Sequence, residues 1–346
     1  MTVSSETGEI VVVTGASTGI GAAAARELAR RGFHVLAGVR RDRDADAIRG
    51  PGIEPVILDI TNPEHIRALA TRVDGDPRVV RALLNNAGIQ ANVPIEAFAI
   101  DEWRRLFEVN LFGHVAVTQA LLPALIRSSG RVVNVSSVGG KVAMAAYGPY
   151  AATKFALEAV SDSLRRELAP FGVGVVVVEP GAVRTEMLGR AIATADELVS
   201  AMTPDQARRY DRLVQAVNAQ AVSATKSGVP AQAAAAVIAK AVTARRPRSR
   251  YTVGRDAALI TRLARFLPDR ALDRIIAVGL RPHYPKADKR FDQPEAVLSI
   301  PAGTGCRCRT TGSVQERAPA LVRARWPACG MLRPRWRRTS AAGKRA

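Results

Sequence analysis

Cysteine is missing from most of this 346-residue chain: Cys306, Cys308 and Cys329 all lie near the C-terminal end. A body of that length without cysteine carries no disulfide framework, and a reducing, cytoplasmic location is expected. Cys306 and Cys308 lack the two-residue spacing of common zinc or redox pairs, and no histidine follows them, so no metal site is expected. Histidine is scarce too. His34, His65, His114 and His283 form no cluster and read as structural or exposed residues. No run approaches the roughly 18 apolar residues of a spanning helix. The opening MTVSSETGEIVVVTG has no basic region ahead of an apolar one, so no signal peptide is expected.

Acidic charge is what the C-terminal part lacks. Residues 1–239 hold 25 Lys/Arg against 24 Asp/Glu, residues 240–300 hold 14 against 6, and residues 301–346 hold 11 against 1. The formal charge of +19 therefore sits almost wholly at one end. So basic a chain would ordinarily suggest nucleic acid or a membrane surface as partner. A neutral body argues against a specific nucleic-acid partner.

What is present is an alternation. The runs IVVVTG (10–15), HVLAGVR (34–40), EPVILDI (54–60), RALLNNAG (81–88), RVVNVSS (131–137) and GVVVVEP (174–180) are β-branched, nearly continuous in hydrophobicity and bounded by Gly, Asn or Pro. Such runs predict buried strands. Between them, segments such as GIGAAAARELARRG and YAATKFALEAVSDSLRRELAPFG carry apolar residues at helical spacing. Strands alternating with helices imply right-handed crossovers, hence an α/β fold: a doubly wound parallel sheet of the Rossmann type with helices on both faces. One domain is expected over residues 1–255, with RYTVG (250–254) as its last strand. Within it, 186–229 reads as one or two loosely packed helices that could cover a site, and 229–244 as an amphipathic helix. Residues 256–295 read as a helical extension, broken at Pro268 between two short helices over 257–280. That basic, apolar pair could lie on a membrane surface, but packing on its own protein is the expectation. The tail, 296–346, has no period and is expected to be disordered.

The segment TGASTGIG (14–21) closes the first strand and opens the first helix. Gly15 allows a tight turn, Gly19 lets backbone approach a pyrophosphate, and Gly21 permits close helix–strand packing, with Ser17, Thr18 and Ile20 completing the loop. The helix N-terminus offers free N–H groups and a positive dipole to phosphate. About 20 residues on, where a carboxylate would accept the ribose hydroxyl of NAD, stand Arg40 and Arg41. Arginines there clamp a 2′-phosphate, so NADP(H) is preferred over NAD(H).

TGASTGIG, LDIT (58–61), NNAG (85–88), Asn110, the serine pair 136–137, Tyr150-x-x-x-Lys154 and PGAVRT (180–185) occur in the order and spacing of the short-chain dehydrogenase/reductase family. The resemblance covers about residues 8–255. RYTVGRDA and the 257–280 helices also resemble, more loosely, members acting on steroids, retinoids and other apolar alcohols. The family mechanism implies Tyr150 as general acid and base, with Lys154, one helical turn on, lowering its phenol pKa and binding the nicotinamide ribose. It implies Ser137, chosen over Ser136 by the family's spacing to the tyrosine, as the hydrogen bond to the substrate oxygen. Asn110 would hold a water linking Lys154 to solvent. The same resemblance puts Asp59 and Ile60 beside the adenine, Asn86, Ala87 and Gly88 in the cofactor cleft, and Pro180, Gly181, Val183 and Thr185 beside the nicotinamide. Val138, Met144 and Tyr147 suggest an apolar substrate wall. The implied activity is NADP-preferring interconversion of a ketone or aldehyde and an alcohol, with a 3-oxoacyl-carrier-protein reductase or a non-catalytic cofactor-binding regulator as the alternatives. Family members commonly pair through the helices at about 101–127 and 150–169, which implies a homodimer or homotetramer.

Overall fold

The computed structural model describes residues 8–285. The tail predicted for 296–346, the end of the 256–295 extension and all three cysteines lie outside the described residues.

The six predicted runs and RYTVG all form strands: β1 (Ile10–Val13), β2 (His34–Val39), β3 (Ile53–Ile57), β4 (Val80–Asn85), β5 (Arg131–Val135), β6 (Gly174–Pro180) and, after two short strands described below, β9 (Arg250–Val253). They build one parallel sheet in the order β3-β2-β1-β4-β5-β6-β9. The order reverses between β1 and β4, so the loops leaving those two strands diverge and open a crevice at their C-terminal ends.

Period-two geometry divides β1 between the two faces. Val11 and Val13 point to the layer containing α1 (Gly19–Arg30) and α9 (Ala231–Thr243). Ile10 and Val12 point to the layer containing α3 (Pro63–Asp74) and α5 (Gly113–Arg127). All four are fully buried, each worth about 1.5–3 kcal/mol of apolar burial. On the first face, Ala22, Ala25 and Leu28 of α1 pack with Ala235 and Ile238 of α9, small side chains that let the two helices lie close. The short helix α2 (Asp42–Ile48) escapes the periodicity reading because only Ala45 and Ile48 of its seven residues are buried.

The long apolar stretch predicted as one helix is interrupted. Helix α4 (Ile100–Phe107) passes through a π-turn at Glu108–Phe112 before α5 begins. An 18-residue window of the combined segment Ile100–Arg127 reaches a mean hydropathy of 1.5, enough by length and composition alone to cross a membrane. Half of its apolar window is buried in the protein, with Val117, Leu121 and Leu125 in the sheet-facing core.

Helix α6 (Gly148–Leu168) follows β5, and after β6 come β7 (Val183–Arg184), α7 (Met187–Ser200), α8 (Pro204–Ser227) and β8 (Val229–Pro230). The expected loose cover is thus two helices tied at both ends. At its base β7 pairs with β8. At its tip, Thr203 and Gln206 form a capping box, Gln206 Nε2 donates to the Glu96 backbone carbonyl, the Tyr210 hydroxyl donates to the Glu96 carboxylate, and Arg209 pairs with that carboxylate. Helices α10 (Arg255–Phe266) and α11 (Asp269–Leu280) break at Pro268, as predicted. Leu280 packs into the α8 cluster, while Leu259, Phe266 and Val278 remain exposed.

Candidate active site

The crevice at the β1/β4 reversal is the end of a single cavity of about 1160 Å³ that runs to the N-terminal turn of α6 and on beneath α7, α8 and α10. Backbone geometry shapes its first end. Gly15 has φ +65°, and a Cβ there would lie 2.7 Å from Ala87 Cα. Gly21 does not line the cavity. It lets α1 approach, since a Cβ would lie 2.2 Å from the Gly15 carbonyl oxygen. Asn86 binds the two loops together, its Nδ2 donating to the Thr14 and Gly15 carbonyls at 3.0 and 3.1 Å. Thr14 Oγ1 returns the contact by accepting from the Asn86 and Ala87 N–H groups. The first turn of α1 has neither an acidic residue nor a side-chain cap, which suits it to an anion.

Ser17, Thr18, Gly19 and Ile20 line this end, with Arg40, Asp59 and Ile60 along one wall and Ala87 and Gly88 along another. Burial opposes ionisation of Asp59, but hydrogen bonds from the Thr61 N–H and hydroxyl, helped by the Arg40 charge, hold its carboxyl below the usual range. Arg41 is a correction. It stands at the N-cap of α2, exposed and outside the cavity, so only Arg40 of the expected clamp faces in. Arg190 of α7, which the sequence reading missed, lines the same end and donates to Thr18 Oγ1 at 3.4 Å. No local pattern marks a residue brought in from so far along the chain.

At the other end, Ser137, Tyr150 and Lys154 converge, with Pro180, Gly181, Val183 and Thr185 opposite. Ser137 Oγ accepts from the Gly139 N–H at 3.0 Å, which leaves its own hydrogen free to donate. Lys154 Nζ donates to the Val135 carbonyl at 2.9 Å and lies 5.9 Å from the centroid of the Tyr150 ring. Burial brings the lysine down to about 8, against the attraction of Glu158. Burial likewise pushes the Tyr150 phenol up to about 12, outweighing its hydrogen bond with Ser137. The expectation that Lys154 draws this phenol towards neutrality is therefore reversed in the chain itself: desolvation of both groups dominates, and Tyr150 stays protonated.

Asn110 lies behind the cavity wall. It is fully buried in the π-turn and does not line the cavity. Its Oδ1 accepts from Ile89 N, while Nδ2 donates to the Ile89 carbonyl and to Thr153 Oγ1. Both Nδ2 hydrogens are committed to protein, while Oδ1 keeps a second lone pair. It ties the strand after Gly88 to α6. An extra residue in a helical turn is a feature common at functional sites, and the sequence carried no sign of it.

Val138, Met144 and Tyr147 line the remaining wall with Phe98, Leu106 and Val142, and Ile260 and Ile276 of the C-terminal helices join them. The resulting site can hold an extended dinucleotide along one half and present a hydroxyl donor, a protonated phenol and a lysine to an apolar molecule in the other.

Comparison with known proteins agrees with this geometry. The family described as short chain dehydrogenase matches residues 9–196. Retinol dehydrogenase 5 of Mus musculus is 36% identical over 285 residues, 77% of this chain and 87% of that protein. 17-beta-hydroxysteroid dehydrogenase type 6 of Rattus norvegicus is 34% identical over 290 residues, 78% of this chain and 88% of that protein. Among solved structures, a short chain dehydrogenase from Burkholderia cenocepacia in complex with NADP superposes with TM-score 0.60 at 28% identity, covering 81% of this chain and 99% of that one. One from Burkholderia phymatum in complex with NAD superposes with TM-score 0.63 at 25% identity, covering 74% and 92%. The chain belongs to the short-chain dehydrogenase/reductase family and is a nicotinamide-dependent oxidoreductase acting on CH–OH groups.

Proposed function

We propose that this oxidoreductase prefers NADP(H) and interconverts an apolar ketone, or an aldehyde, with its alcohol, Tyr150 serving as general acid and base. The observation that carries the reading is the continuity of one cavity from Arg40 to Tyr150. Arg40 stands where a 2′-phosphate would need a cation, and the cradle of Gly15, Gly19 and Gly88 fits a dinucleotide. The nicotinamide supplies or removes hydride at the substrate carbon.

The chain's own residues handle the oxygen and its proton. Ser137 donates a hydrogen bond to the substrate oxygen and orients it. A phenol at about 12 is fully protonated near neutral pH, the form that can give its proton to a carbonyl oxygen as negative charge develops there. Lys154, at about 8, is mostly cationic below that pH and stabilises the phenolate left behind. The protonation states favour reduction near neutrality, whereas oxidation needs the phenolate and gains as pH rises. The apolar wall of Phe98, Leu106, Val138, Val142 and Met144 selects a hydrophobic substrate. The names of the retinol and hydroxysteroid relatives support that class.

Replacing Tyr150 by Phe removes the proton and leaves the cavity's shape. Turnover should fall by at least about a thousandfold, with NADPH binding largely kept. Wild-type rates in that variant would sink the assignment. We also propose pairing of two or four copies through α5, with the π-turn before it, and α6, where Phe112 and Phe155 are exposed. Light scattering of the purified chain tests it, and a monomer at micromolar concentration refutes it.

A further inference from the structure

Three residues in the substrate half have no part in the chemistry above. Gln90 and Tyr147 line the cavity. Behind them Asn92 is fully buried, and its Oδ1 accepts from Gln90 Nε2 at 2.8 Å. Burial pushes the Tyr147 phenol pKa up, and the nearby Gln90 and Asn92 amides pull it partly back. The Tyr147 ring meets the Tyr150 ring edge-on, with centroids 6.4 Å apart.

We infer that Gln90, Asn92 and Tyr147 form a second polar anchor, and that the substrate carries a second neutral oxygen besides the one that reacts. This rests on the ketone/alcohol reading above and narrows its substrate class to hydroxyketones, diones and their reduced forms. The surrounding wall is apolar, so these amides and this phenol stand out by position. Two further polar groups on the lining are already engaged: Gln220 donates to the Gly279 carbonyl, and Arg105 pairs with Glu102. Asn92 Nδ2, by contrast, is buried without an acceptor. A donor in that state costs free energy unless an oxygen reaches the cluster, and Gln90 and Tyr147 are its members open to the cavity.

The backbone supports the placement. Ala146 has φ +59°, the left-handed region that a residue with a Cβ avoids, and it is buried directly before Tyr147 at the N-cap of α6. Strain of this kind persists where surrounding structure enforces it, and here it delivers the Tyr147 ring to the cavity wall. None of the three side chains is charged, which selects a hydroxyl, carbonyl or ether over a carboxylate or phosphate. The two rings are in edge-on contact, so a six-membered ring bearing both oxygens is the natural probe. An apolar molecule with a single oxygen would set hydrocarbon against Gln90 and Tyr147.

The test uses the full chain with NADPH and two ketones of equal size, 4-hydroxycyclohexanone and 4-methylcyclohexanone. Wild type should favour the hydroxyl compound in kcat/KM by about tenfold or more, because a site built to bind a hydroxyl discriminates strongly against its absence. In Tyr147→Phe and in Gln90→Leu that ratio should fall to about one or below. The two positions lie on separate elements, so the failure of one variant to fold leaves the other decisive. A wild-type ratio near one, or the same high ratio in all three proteins, overturns the anchor and leaves the ketone/alcohol reading intact. No reduction of either ketone by the wild type would overturn both.

Discussion

Lys154 permits the most searching test of how this site is built, because its burial is measurable without knowing the substrate. The free side chain titrates at 10.5 and the folded one at about 8, burial being the principal cause and Glu158 the partial offset. That difference corresponds to about 3 kcal/mol of destabilisation while the lysine is charged. Unfolded chain binds the proton more tightly than folded chain, so stability rises with pH wherever the two differ in protonation. The penalty is fully present below about 8 and disappears as pH climbs to 10.5. Neighbouring groups stay silent over most of this window: Tyr150 titrates at about 12, and His114, buried beside the lysine, at about 3. Lys154→Met has no such proton. Urea denaturation of both proteins from pH 7 to pH 10 should show wild type gaining roughly 2.5 kcal/mol on the variant. Parallel stability curves would mean that the lysine is solvated in the folded chain, and the account of the site's electrostatics would fail. The variant should also lose turnover, so the residue that reduces stability is one the proposed chemistry requires.

Other outcomes follow from single contacts. Arg40→Asp removes the cation that lines the cavity; kcat/KM with NADPH should fall about 10- to 100-fold, the worth of one charged hydrogen bond, while that with NADH rises, and unchanged cofactor preference would show that Arg40 does not touch a 2′-phosphate. Gly21→Ala forces a methyl to 2.2 Å from the Gly15 carbonyl oxygen, so it should cost about 3 kcal/mol, read as a lower Tm and a loss of NADPH binding together. Glu96→Ala releases Arg209 and Tyr210 from the tip of the cover. Limited proteolysis within residues 187–227 should speed up several-fold with Tm little changed, and equal cleavage rates would show that the tip contacts do not restrain the helices.

The strands were legible because each carries its own signal. A buried parallel strand is largely apolar on both faces, and β1, β2 and β6 are built around runs of Val, Ile, Leu and Ala. The phosphate loop was legible for a related reason: Gly15 and Gly21 answer to steric limits within a short span of chain. Tyr150 and Lys154 follow from one helical turn. Less legible were features set by more distant parts of the chain. Arg41 looked equivalent to Arg40 until α2 began at that point and turned it away. Nothing beside Asn110 announced the π-turn or the commitment of its amide to Ile89 and Thr153.

By itself, then, the sequence determined the strands and the hand of their crossovers, the dinucleotide cradle and the tyrosine–lysine pair, because these depend on local sterics and on periodicity. Tertiary structure alone decided the state of that pair. Packing α6 against β5 withdraws both groups from water, and desolvation, which no spacing records, pushes the phenol up and brings the ammonium down. It also decided what faces the substrate, since Gln90, Tyr147 and Arg190 meet in one cavity only after the sheet has assembled and the α7–α8 cover has closed over it.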